Sequence, residues 1–199
     1  MAILPIRTVG DPVLRTEAST VTRFGTELER LVADMAETMA NVNGAGLAAP
    51  QVGVSLRIFT FDVDGVSGHV INPELELGEE KQADHIEGCL SVPELGFVVP
   101  RKAWARVTGL DVTGGPVEYE GTGILARCFH HETDHLNGRL YIDRLAGEDR
   151  KVAFRAMRQA DYDSVVARTK AEREQSIDSI FGRSSPGNGA FATNTGIRG

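Results

Sequence analysis

From Glu27 the apolar residues Leu28, Leu31, Val32, Met35 and Met39 recur three and four positions apart, the period of one helix face, and predict a helix over about 27–41. Thr26 followed by Glu29 predicts a capping box at its start. Downstream the period changes. Segments 57–63, 69–77, 97–99, 104–112 and 116–119 are short and rich in branched and aromatic residues, as strands are. Asp64-Gly65-Val66-Ser67-Gly68 and Thr113-Gly114-Gly115 have the glycines of hairpin turns, and strands joined by turns rather than helices predict antiparallel pairing.

A second helical period begins near Gly123, with Leu125, Phe129 and Leu136 set apart from a polar stripe, and Asn137-Gly138 signals its end. A last pattern over about 148–173 carries Val152, Met157, Val165 and Val166 among dense charges and predicts one amphipathic helix. The opening, with Pro5 and Pro12, reads as an extended segment with turns that wraps the surface. Gly78-Glu79-Glu80-Lys81 reads as a solvated loop, and residues 182–199, with little to bury, predict disorder. The expected fold is therefore α+β. Short antiparallel strands pack around the helix near 123–137, with an N-terminal and a C-terminal helix beside them.

Composition narrows the function classes. At 199 residues, 41% hydrophobic and 25% charged, the chain is long enough to bury a core without staples. A formal charge of -7 argues against general binding of free nucleic acid, which needs lysine and arginine in excess. No run approaches a membrane span, and Met1-Ala2-Ile3-Leu4-Pro5 lacks the charged start and long apolar stretch of a secretory signal, so the expected location is cytoplasmic. In that reducing compartment the two cysteines, Cys89 and Cys128, are expected as ligands or core residues rather than as a disulfide.

The densest chemistry lies in Cys128-Phe129-His130-His131-Glu132-Thr133-Asp134-His135, which contains His-Glu-x-x-His. Residues four apart share a helix face, so His131 and His135 can offer two imidazole nitrogens to one metal ion with Glu132 beside them. The same histidines would also serve as an ordinary hydrogen-bonded pair. A catalytic site needs a third protein ligand and an open position. Cys89, flanked by Gly88 and followed by a Ser-x-Pro turn, is a candidate thiolate, although an isolated cysteine is more often plain core. Gln51, alone among small apolar residues, is a candidate amide donor.

Taken together, Gly44-Ala45-Gly46-Leu47-Ala48-Ala49-Pro50-Gln51, Glu87-Gly88-Cys89-Leu90-Ser91 and His131-Glu132-Thr133-Asp134-His135 resemble, in order and separation, the three signature motifs of bacterial peptide deformylases. Gly10-Asp11-Pro12-Val13-Leu14-Arg15 resembles the family's start, so the likeness covers about 3–145. The resemblance implies a hydrolase that removes the formyl group from the N-terminal formyl-methionine of new polypeptides and releases formate. It implies Cys89, His131 and His135 as ligands of one divalent metal, Fe(II) first, with zinc, nickel or cobalt as alternatives. Water in the fourth position is then the nucleophile, Glu132 the general base and acid, and Gln51 with the backbone N–H of Leu90 the oxyanion donors, with Gly46 allowing the close approach. Ala45, Ile86, Leu90, Ile124 and Cys128 would wall the methionine pocket, and the peptide would pair with residues 44–46.

On this resemblance the chain divides into a catalytic unit, 1–147, a helical extension, 148–181, and a tail, 182–199. Arg127, Gly96 and His130 depart from the family's usual residues and bear on pocket shape. Glu87 is expected to pair with Arg101 and hold the Cys89 loop. Two other readings stand beside this one: a peptidase cutting internal bonds, which usually takes a carboxylate or histidine as third ligand, and a module using metal only to hold its fold, which needs four protein ligands. Ribosome binding through Arg150, Lys151, Arg155, Arg158, Arg168 and Lys170 is compatible with the first.

Overall fold

Four consecutive residues, Ile58, Phe59, Thr60 and Phe61, are buried in strand β2 (Ile58–Val63), and a strand with no polar face must be covered on both sides. In the computed structural model, which describes residues 2–82 and 85–181, two helices do this. Ile58 packs with Leu28, Val32, Met35 and Met39 of α1 (Thr26–Asn41). Phe59, Phe61 and Val63 turn the other way, against Leu125, Phe129 and Leu136 of α2 (Gly123–Leu136). The Phe61 and Phe129 rings meet edge to face at 5.2 Å, a favoured aromatic geometry.

β2 lies within a five-stranded antiparallel sheet ordered β1-β2-β3-β8-β9, where β1 is Gly46–Ala48, β3 Val66–Leu77, β8 Trp104–Leu110 and β9 Pro116–Thr122. The β2–β3 hairpin turns on Asp64 and Gly65 alone, both at positive φ, so β3 begins at Val66 rather than at the expected 69. β3 is bulged between Ile71 and Glu74. Asn72 there has φ 53°, and its amide exchanges two hydrogen bonds with the backbone of Val21, which holds the left-handed turn.

Two small hairpins complete the strands: β5 (Ile86–Cys89) with β6 (Val92–Val98), and β4 (Lys81–Gln82) with β7 (Arg101–Lys102). The β5–β6 hairpin corrects the expectation of a loop around Cys89, at 87–91, and a strand confined to 97–99. The opening segment is tied down where it wraps the molecule: Ile6 and Leu14 are buried, and the amides of Arg7 and Val9 donate to the carbonyls of Gln51 and Ser91.

The N-terminal capping box does not form. α1 starts after Gly25 with no side-chain cap, although Glu27 and Glu29 still face the positive end of the helix. α2 does end at Asn137-Gly138, with Gly138 at φ 66°. The single C-terminal helix is two, α3 (Gly147–Met157) and α4 (Ala160–Phe181), broken at Arg158-Gln159. Ala153 of α3 is fully buried with Leu14, Val92, Val99, Leu140 and Tyr141, so this end of the chain packs onto the β5–β6 side of the molecule. The tail at 182–199 lies outside the described residues. Among those described, no helix is long and apolar enough to cross a membrane.

Candidate metal centre

β1 and α2 face each other so closely that only a glycine fits between them. A Cβ on Gly46 would fall 2.3 Å from Glu132 Oε1 and 2.9 Å from Cys128 Sγ. Ala48 and Gln51 then shape the next turn: the Ala48 amide donates to Gln51 Oε1 at 2.8 Å, which leaves Nε2 as the free end of the amide. That nitrogen points to Ser91 Oγ at 3.2 Å and lies 3.8 Å from Cys89 Sγ.

Cys89, His131 and His135 come together. Cys89 Sγ is 3.3 Å from His135 Nε2, which is 3.2 Å from His131 Nε2. These three donors form a cluster fit for a metal ion. One thiolate and two imidazoles suit a divalent transition metal, and three protein donors leave a coordination position open. Glu132 Oε2, buried beside them with no hydrogen-bond partner among the described residues, fits a site made for a cation and what the cation binds. Burial lifts the Glu132 carboxyl to about 7, with the charge of Glu87 adding to it; a bound cation would pull it down again.

The histidine tautomer is set from behind. Glu87 Oε1 lies 2.7 Å from His131 Nδ1, so the carboxylate accepts a hydrogen bond from Nδ1–H and leaves the Nε2 lone pair facing the cluster. Glu87 pairs with Arg101, as expected, through both carboxylate oxygens. Burial alone would raise the Glu87 pKa, but hydrogen bonds from His131 and Arg101 outweigh it and hold the group at about 2. Arg101 also donates to Asp134 at 2.6 Å, Asp134 accepts from Arg144 at 2.6 Å, and Arg127 reaches Glu87 and the Val99 carbonyl. Asp134, Arg127 and Arg144 were not foreseen in this network. Their one signal in the chain is an acidic residue set directly before a histidine of the motif.

Cys89, His131, Glu132, Glu87 and Arg127 border one cleft of about 600 Å³. Gly46, Gln51, Leu90 and Glu132 line it, and so do Ala45, Ile86, Ile124 and Cys128. Ile86 and Ile124 are 72% and 43% exposed, apolar surface left open at the mouth. Both cysteines are free, and burial pushes the Cys128 thiol up, so it serves as apolar wall rather than as a nucleophile.

A family model described as polypeptide deformylase matches residues 3–151. The peptide deformylase of Acidothermus cellulolyticus is 54% identical over 170 residues, which is 85% of this chain and 94% of that protein. The chain belongs to the polypeptide deformylase family. This deformylase is thus a metal-binding hydrolase that removes N-formyl groups in the N-terminal processing of polypeptides. The peptide deformylase of a Parafrankia species is 49% identical over 185 residues, covering 92% of this chain and 99% of its own. Among solved structures, that from Legionella pneumophila has a TM-score of 0.73 at 35% identity, covering 92% of this chain and 100% of its own. That from Thermus thermophilus has a TM-score of 0.74 at 39% identity, covering 86% and 99%.

Proposed function

We propose that this deformylase holds one Fe(II) ion on Cys89, His131 and His135 and hydrolyses the formyl group of N-formyl-methionyl nascent chains in the cytoplasm. The observation that carries the site assignment is the burial of Glu132 against Gly46, in the cleft lined by Cys89 and His131, whose donor atoms converge with that of His135. When bound, the ion supplies a Lewis acid that acidifies water and polarises the formyl oxygen. Zinc, nickel or cobalt are chemically compatible with the same donors.

The chain's own groups then do the rest. Glu132 accepts the proton of the attacking water as its oxygen bonds to the formyl carbon. The Gln51 amide and the Leu90 N–H donate to the oxygen that becomes negative. As the C–N bond breaks, Glu132 returns the proton to the departing amine, which leaves formate and a free methionyl amino group. Ala45, Ile86, Leu90, Ile124 and Cys128 receive the methionine side chain, and the substrate's main chain runs along residues 44–46 as an added strand. Among the described residues no fourth protein donor joins the triad, which favours this reading over a purely structural metal.

We assign catalysis to residues 1–147, with 148–181 as a helical extension and 182–199 as its tail. Ribosome contact by the extension is supported by Arg150, Lys151, Arg155 and Arg158, exposed around Phe154 on α3. Arg168 is engaged elsewhere, with Glu94. Formate release from formyl-Met-Ala under anaerobic conditions, with metal analysis, tests the central reading, because a thiolate-bound Fe(II) site is open to oxidation. Glu132→Ala should keep its metal while kcat falls about 100- to 10,000-fold; near-normal turnover would refute the role of Glu132. Unchanged ribosome binding by a chain truncated after Leu145 would refute the contact.

A further inference from the structure

Helix α4 returns to the cleft. Thr169, Glu172 and Arg173 line the same cavity as Cys89, His131 and Glu132. Two contacts hold the helix on β6: the Tyr162 hydroxyl donates to the Pro93 carbonyl at 3.3 Å, and Arg168 pairs with Glu94. Neither requires Arg173 to leave water, yet Arg173 is half-buried. Its Nη2 donates to the Leu90 carbonyl at 3.1 Å, while Nη1 is buried with no hydrogen-bond partner among the described residues.

A buried guanidinium N–H without an acceptor is costly and rarely kept without one. Among the residues lining the cleft, only Arg127 and Arg173 carry a permanent positive charge. Arg127 is committed to Glu87 and the Val99 carbonyl. Arg173 is the cation on the α4 wall of the cleft, and its Nη1 is still to be given a partner among the described residues. Glu94 and Glu172 line the cleft too and share Arg168 as counter-ion, so an anionic ligand would be repelled by the remaining negative charge, which a neutral acceptor escapes. An extended peptide offers neutral acceptors at every residue, its main-chain carbonyls.

We propose that Arg173 is a specificity-determining residue of this deformylase, donating from Nη1 to a main-chain carbonyl of the substrate downstream of formyl-methionine. This rests on the deformylase reading. It makes the C-terminal extension part of the substrate groove, and it makes affinity rise with peptide length.

Formate release by the full-length, metal-loaded enzyme on formyl-Met amide and on formyl-Met-Ala-Ser amide tests this. The first substrate has no residue beyond methionine for Arg173 to meet. In Arg173→Ala the ratio of kcat/KM, longer over shorter, should fall about tenfold, with the loss in KM, the size of one charge-assisted hydrogen bond. Arg173→Lys, which keeps the charge, should recover part of it. An unchanged ratio overturns the proposal, as does an equal loss on both substrates residing in kcat, the mark of a residue that only holds Leu90. If Arg173→Ala does not fold, Arg173→Gln, which keeps a polar side chain but loses the guanidinium, reads the same ratio. A wild-type enzyme inactive on both substrates would refute the deformylase reading instead.

Discussion

Glu87 Oε1 sits 2.7 Å from His131 Nδ1, on the side of the ring away from the ligand cluster. The same carboxylate neutralises Arg101, whose side chain is 1% exposed. Glu87→Ala removes both partners at once. Metal affinity should fall about 10- to 100-fold, because the His131 ring loses the group that fixes its tautomer. Stability should fall by about 3–5 kcal/mol, because a buried guanidinium loses a counter-ion. Chelator competition and urea unfolding read the two effects separately, and full metal retention with wild-type stability would refute both.

Gly46→Ala places a methyl carbon where Glu132 Oε1 and Cys128 Sγ already are. β1 is hydrogen-bonded to β2 along its length and has little room to retreat. Glu132 must therefore move, and a displacement of about 1 Å in a reacting group can cost on the order of 100-fold in kcat. Overpacking should cost about 1–3 kcal/mol besides. Thermal unfolding together with kcat for formyl-Met-Ala checks both, and wild-type kcat would show that the close approach has no part in catalysis.

The elements that could be read from the chain are those whose signal is local. α1 and α2 announce themselves by a 3.6-residue period, and α2 also by its Asn137-Gly138 stop. The three donors were legible because two of them lie on one helix turn and the third stands in a distinctive glycine-flanked segment. β5 was not legible, because Ile86-Glu87-Gly88-Cys89 lacks a strand's composition and becomes one by pairing with β6. The Thr26–Glu29 cap failed because the helix begins one residue earlier than that geometry allows, after Gly25. The arginines paired with Glu87, Arg101 and Arg127, stand 14 and 40 positions from it, and nothing in local spacing announces such pairs. The path of α4 was hidden for the same reason: its dense charges look like a solvated face, and only the fold brings Arg168 to Glu94 and Arg173 to Leu90.

His69 gives a pH dependence remote from the metal centre. Its Nε2 accepts the Val112 amide at 3.2 Å and must be unprotonated to do so. Burial lowers its pKa below the usual 6.5, and the opposing pull of Asp111 does not restore it. A depressed histidine pKa favours the neutral folded form, so its contribution is present above pH 6.5 and is lost as pH falls below that value. Urea unfolding should therefore weaken from pH 7 to pH 5 more steeply in the wild type than in His69→Gln, which keeps an acceptor but does not titrate. Parallel slopes would rule out this coupling.

Metal removal should separate activity from folding. The aromatic cluster of Phe59, Phe61 and Phe129, and the α1 cluster around Met35, are buried against the sheet with no contribution from Cys89, His131 or His135. A protein of this size with such cores does not need a metal to fold, unlike small metal-nucleated domains. Chelation should therefore abolish formate release while the far-ultraviolet circular dichroism stays near that of the loaded protein. The melting temperature should drop, since an ion that binds only the folded state stabilises it by mass action. Re-addition of Fe(II) under nitrogen should restore turnover. Cooperative unfolding on chelation alone would instead favour the structural-metal reading over the catalytic one.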